Sequence, residues 1–194
     1  MIGEWFRDVL KTIRGRDSHT IEEPRSSPPP LLVTEQVCTE TARGLQSHSP
    51  PHKSHEGVVY WAGVTDKLGA KLVLSVIVPE ADTTPGSYDI SPVANAAVVE
   101  AVHDHNVELV ATVHSHPGEM TSHSERDSKA AQLPHDGYYS VVVPNYARDG
   151  VRPFTDCGVH LYRDGEFHEL DSDTVQERVR AIPSPPTYID TRDQ

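Results

Sequence analysis

The chain has 194 residues, 36% hydrophobic and 24% charged, enough to bury the core of one soluble domain of about 130 residues with tails. A formal net charge of −12 argues against nucleic acid or an anionic membrane as the main partner. No run approaches the roughly 18 apolar residues of a membrane span, so the chain is not expected to be transmembrane.

The opening residues Met1 to Phe6 lack a charged region followed by a continuous apolar one, so no secretory signal is expected. Cys38 and Cys157 lie far apart and form no Cys-x-x-Cys, which fits reduced thiols in a cytoplasmic protein. Within residues 1–16, Ile2, Trp5, Phe6, Val9, Leu10 and Ile13 fall on one stripe of a helix. Such a helix suits self-association, docking on a partner or folding back on the domain, and Arg7, Lys11, Arg14 and Arg16 also suit a membrane surface. Residues 17–30 lose this periodicity and end in Ser26-Ser27-Pro28-Pro29-Pro30, an extended linker.

A single α/β domain is expected over residues 31–172. Val33 to Gln46 is weakly helical, with Val37, Thr41 and Leu45 four apart, and a loop from Ser47 follows. Strands are predicted at Gly57 to Val64 and Ala70 to Pro79, joined by a turn at Asp66 to Gly69. Glu80 to Ile90 reads as a polar loop, and Ser91-Pro92 as the cap and first residue of a helix running to about His105. Val107 to Val113 is an apolar strand, Ser124 to Gln132 a short helix and Tyr138 to Val143 a further strand. Gly158 to Tyr162 and Glu166 to Leu170 alternate around Asp164-Gly165, a hairpin signal. Residues 173–194 read as a tail in which Thr174 to Ile182 suits a short helix.

The chemistry concentrates at His114-Ser115-His116-Pro117, where the apolar strand ends, and at Ser124-Glu125-Arg126-Asp127 beyond the loop. Side chains two apart on a strand share a face, so His114 and His116 can present two imidazoles to one ion. With Asp127 they make three protein ligands and leave one tetrahedral position for water, the arrangement of a catalytic zinc. Each half also has a simpler explanation. A chain with 12 histidines produces His-x-His by chance, and Ser-x-x-Asp ahead of a helix is a common cap. A second such pair, His103 and His105, lies on a helix where residues two apart face different ways, and reads as surface.

Taken jointly, the two motifs resemble the fingerprint of the JAMM (MPN-type) zinc metalloproteases. That resemblance implies an upstream general base, and Glu56, followed by Gly57-Val58-Val59-Tyr60-Trp61-Ala62-Gly63, is the acid that fits. It further implies a curved mixed β-sheet flanked by helices, Zn2+ on His114, His116 and Asp127, and Ser124 as donor to the developing oxyanion. Zinc there would lower the pKa of water at its fourth position toward about 7. Gly137 to Pro144 looks like the same stretch of compact bacterial members associated with ubiquitin-like conjugation. The expected reaction is hydrolysis of the amide after the C-terminal tail of a ubiquitin-like protein, with Glu56 taking the proton of the attacking water. Expected partners are that protein, its conjugates and activating (E1-like) and conjugating (E2-like) enzymes. Trimming of a sulfur-carrier-like precursor and a non-catalytic MPN scaffold are the alternatives. A barrel-type hydrolase is disfavoured, because it needs about 250 residues and more downstream ligands.

Overall fold

A computed structural model describes residues 28–124, 127 and 134–184. The expected helix over residues 1–16, most of the linker, and residues 125–133 other than Asp127 lie outside the described residues. The order is β1 (Leu31–Thr34), α1 (Glu35–Ser47), β2 (Val58–Thr65), β3 (Lys71–Ile77), β4 (Asp82–Thr84), β5 (Ser87–Asp89), α2 (Pro92–Asp104) and β6 (Glu108–Ser115). It continues with β7 (Tyr139–Val143), β8 (Gly158–Arg163), β9 (Glu166–Glu169), α3 (Ser172–Arg178) and β10 (Val179–Ile182). Eight strands form one mixed sheet in the order β10-β1-β3-β2-β6-β7-β8-β9, and β4 pairs with β5 apart from it.

The sheet is buried on both faces at its centre, which is why β2 is apolar at nearly every position and does not alternate. Val59 and Trp61 enter the larger core with Val37, Cys38 and Leu45 of α1, whereas Val58 and Tyr60 join Tyr88, Ile90, Ala94 and Val98 on the opposite side. Thr34 caps α1, its hydroxyl accepting from the N–H of Val37, and Ser91 caps α2 in the same way through Ala94. The Trp61 indole donates to the Thr41 hydroxyl at 2.7 Å, so the one polar atom of that buried ring is satisfied. Both cysteines are buried free thiols.

Three features depart from the sequence reading. The chain enters the sheet through β1 before α1 begins, and β1 pairs in parallel with β3 and β10. The expected loop from Glu80 to Ile90 holds the β4–β5 hairpin, Thr83 opposite Tyr88. The expected helix over Thr174 to Ile182 is divided: Ser172–Arg178 is helical, and Val179–Ile182 lies beside Leu31–Thr34 at the sheet edge. The physical reason is the run Val179, Ala181 and Ile182, whose extended form buries Val179 and packs Ala181 on the main core.

Candidate metal centre

β6 runs through His114 and Ser115, so the ligand motif closes the strand from inside the sheet. His114 lies opposite Val58 of β2 and beside Val142 of β7, which places it on the face that α2 covers. His116 follows where β6 ends, and its N–H donates to the Val143 carbonyl at 2.9 Å. Asn145, Tyr146 and Ala147, all left-handed with φ between 54° and 57°, then turn beneath the ligand loop. From this turn Tyr146 N–H donates to the His116 carbonyl and Asn145 N–H to Gly118. Backbone held in that region is costly for residues other than glycine, so the surrounding contacts must over-determine it. Further along the loop, Thr121 passes so close to β8 that a Cβ on Gly158 would stand 1.9 Å from its carbonyl oxygen.

The structure brings His114, His116 and Asp127 together. The Nε2 atoms of His114 and His116 are 3.2 Å apart, and the Asp127 carboxylate oxygens lie 3.5 Å from His114 Nε2 and 3.6 Å from His116 Nε2. All three residues are buried, and one ligand atom from each falls within 4.8 Å of the others. Burial pushes the Asp127 carboxyl up, but hydrogen bonds from the two imidazoles and from Ser124 hold it far below the usual carboxylate range. Burial pulls His114 below an ordinary imidazole despite Asp127. It acts the same way on His116, where the Asp127 hydrogen bond and the charges of Glu56 and Asp127 outweigh it and raise the group.

The donor set fits a metal ion. His116 presents Nε2 to the cluster, and the nearby Met120 backbone favours the charged form of its ring. His114 Nδ1 has no hydrogen-bond partner among the described residues, and the His114 ring is positioned by packing on Tyr88 at 5.3 Å and His123 at 5.9 Å. His123 in turn packs against His160 at 5.0 Å and Phe167 at 4.7 Å, and burial lowers it to about 4, so it anchors the loop as a neutral ring. Two imidazole nitrogens and an ionised carboxylate converging on one point are the donor types that a zinc-like cation takes.

Glu56 is buried and shares a cavity of about 260 Å3 with His116, Ser124, Asp127 and Tyr88. Its N–H donates to the Thr84 carbonyl at 2.9 Å, and its neighbour Gly57 is tied to Ser115 of β6. Gly57 itself is dictated by packing, since a Cβ there would sit 2.0 Å from the Leu45 carbonyl oxygen at the end of α1. Ser124 does cap its turn: its hydroxyl accepts from Asp127 N–H at 3.2 Å, and its own N–H donates to the Asp127 carboxylate at 2.7 Å. It also lines the cavity, so the capping position and the candidate donor position coincide. His103 and His105 are exposed, as a surface pair should be. Ser115, Met120, Tyr88 and the hairpin were missed by sequence reasoning. The serine inside His-Ser-His was the one visible signal, since its side chain must leave the metal face and meet something else.

A mixed sheet that ends one strand at two histidines, joined by an aspartate from the following turn in a set that could hold a metal ion, matches a metal-dependent peptidase of the MPN fold. The chain belongs to the prokaryotic homologs of the JAB domain, whose family model matches residues 45–155. A probable metalloprotease of Sinorhizobium fredii is 31% identical over 131 residues, covering 65% of this chain and 76% of that relative. A solution structure of a protein from Desulfitobacterium hafniense shares the fold at 15% identity and a TM-score of 0.59, covering 79% of this chain and 94% of that one. Among the described residues, no helix is long and apolar enough to cross a membrane.

Proposed function

We propose that this domain is a zinc isopeptidase that hydrolyses the amide after the C-terminal tail of a ubiquitin-like protein, on conjugates or on a precursor, in the cytoplasm. The observation that carries the proposal is the convergence of His114, His116 and Asp127 with Glu56 beside a single cavity. Zinc held by His114, His116 and Asp127 would supply Lewis acidity and make bound water more acidic. Glu56 accepts the proton that the water loses as its oxygen bonds to the carbonyl carbon. The same carboxyl then passes the proton to the amine nitrogen as the C–N bond breaks, so the products are a carboxylate tail and a free amine. Ser124 lines the cavity beside Asp127, and its hydroxyl is the candidate donor to the oxyanion, a type of contact worth roughly 3 kcal/mol.

The β4–β5 hairpin supports an extended substrate. Gly86, Ser87 and Tyr88 wall the cavity on one side, and Pro117 and Met120 line it with them. A tail lying along such a hairpin gains main-chain hydrogen bonds without demanding particular side chains. The partners of this reading are the ubiquitin-like protein, its conjugates and the E1-like and E2-like enzymes that attach it.

The test is cleavage of candidate ubiquitin-like fusions by purified protein of known zinc content. Release of the intact modifier, lost on metal removal and restored by zinc, is the expected result. A folded protein that binds no stoichiometric metal would instead favour a non-catalytic scaffold.

A further inference from the structure

Helix α2 buries only Ala94 and Val98. Its outward face carries Val93, 80% exposed, with Ala96 and Ala97 also exposed at i+3 and i+4, and Val99, 47% exposed, beside them. Glu100 and Asp104 continue this face through the last turn. A helix apolar on both sides normally has both covered. The first two turns of α2 therefore leave a seat of small residues that a bulky side chain can enter closely.

The chain holds a segment with the complementary pattern. Residues 1–16 lie outside the described structure, and their stripe of Ile2, Trp5, Phe6, Val9, Leu10 and Ile13 pairs large apolar groups with the small ones of α2. Four basic residues (Arg7, Lys11, Arg14 and Arg16) stand against two acidic ones (Glu4 and Asp8), and α2 offers Glu100 and Asp104. Reach is ample. The described chain starts at Pro28, and Pro29 accepts a hydrogen bond from the Tyr139 hydroxyl at the end of the sheet where β1 begins. From β1 the sheet order leads through β3 and β2 to β6, which α2 enters at its C-terminal end. Three strand spacings amount to about 15 Å. Residues 14–27, extended, span roughly 43 Å.

We infer that residues 2–13 form a helix docked in cis on the exposed face of α2. The buried side of α2 packs Ala94 and Val98 against Tyr88 and Ile90, so the docked helix would rest directly behind the hairpin residue that lines the metal cavity. This inference is independent of the proposed substrate.

Tryptophan emission from the full chain tests it. The chain has two tryptophans, and Trp61 is fully buried, so acrylamide-accessible emission reports Trp5, with Trp5→Phe identifying that signal. The expected result is Trp5 quenched severalfold less than in a peptide of residues 1–16, independent of protein concentration. Val93→Glu combined with Ala97→Glu, both at exposed positions, should bring quenching to the level of the peptide. Trp5 that quenches freely in the wild-type chain, or stays shielded in the double variant, overturns the assignment. A disulfide trap gives an independent reading: Leu10→Cys with Ala97→Cys should oxidise to a cross-link within one chain. A cross-linked dimer would place the helix on a second copy and overturn docking in cis, as would the absence of any cross-link.

Discussion

The Ser115 hydroxyl accepts a hydrogen bond from the Gly57 N–H at 2.9 Å, and the Ser115 N–H returns one to the Gly57 carbonyl at 3.0 Å. The residue between the two candidate histidine ligands thus grips the residue beside Glu56, coupling candidate base and candidate ligands through one reciprocal pair. Ser115→Ala leaves the Gly57 N–H buried without this acceptor, a loss of about 1–3 kcal/mol. Metal stoichiometry should stay unchanged while turnover falls, because Glu56 loses its fixed distance from the ligands. Metal analysis alongside kcat checks this, and a variant with full turnover would show that the clamp is only structural.

Glu56→Gln separates the base from the ligands. The amide keeps the size of the side chain but cannot accept the proton, so turnover should fall roughly 10²- to 10⁴-fold with metal retained. Changing His114, His116 or Asp127 to Ala should abolish stoichiometric binding, because each supplies one of the three donors that converge among the described residues. Titration with metal, run beside the kinetics, distinguishes the two groups of variants. Near-normal turnover of Glu56→Gln would remove Glu56 from its role.

The site was legible in the sequence to the extent that strand period fixes it. His114 lies on an apolar strand and His116 one residue past its end, and the spacing of two still brings both imidazoles to one face. The acid at Glu56 was found through family resemblance, since periodicity gives no reason to bring β2 to that end of β6. What escaped was short or non-local. β1 and β10 have four residues each, and β4 and β5 three, too few for a hydrophobic period to register. The left-handed turn at Asn145 to Ala147 contains no glycine and runs against local preference.

Packing at Gly57 makes a further prediction. A methyl group 2.0 Å from the Leu45 carbonyl oxygen forces α1 and β2 apart, at a cost of about 1–3 kcal/mol. Gly57→Ala should therefore lower both the urea midpoint and turnover, because the displaced segment leads directly from Glu56 into β2. By contrast Gly86→Ala meets nothing within 4 Å and should leave the urea midpoint unchanged. Equal stability of Gly57→Ala and wild type would contradict the close approach.

Alkaline pH tests the core. Burial pushes the Cys38 thiol up to about 11 and Cys157 up to about 12, from 9.0 in the unfolded chain. With the folded value raised, the contribution of each thiol to stability is complete below pH 9 and is lost as pH rises through 11 to 12. Above pH 9 each thiol should lower unfolding free energy by up to about 1.4 kcal/mol per pH unit. Denaturation at pH 8 and pH 10 measures the difference, which Cys38→Ala should reduce. Both thiols should also resist alkylation in the folded protein, since only the thiolate reacts.

The dimensions of the cavity bear on the substrate. At about 260 Å3 it is smaller than the roughly 300–1,000 Å3 of pockets that enclose whole ligands. Tyr88, packed on the His114 ring and itself buried, cannot swing aside without disturbing a ligand. A tail reaching the ligands must therefore be narrow where it passes Ser87 and Met120, and glycine is the residue that lets backbone approach so closely. Cleavage should then depend strongly on glycine at the penultimate tail position and weakly on the group released. In a fusion series, glycine to valine at that position should reduce kcat/KM by at least tenfold, about 1.4 kcal/mol, whereas changing the released group should have less effect. Equal cleavage of the valine tail would indicate a broader peptidase that accepts side chains beside the metal.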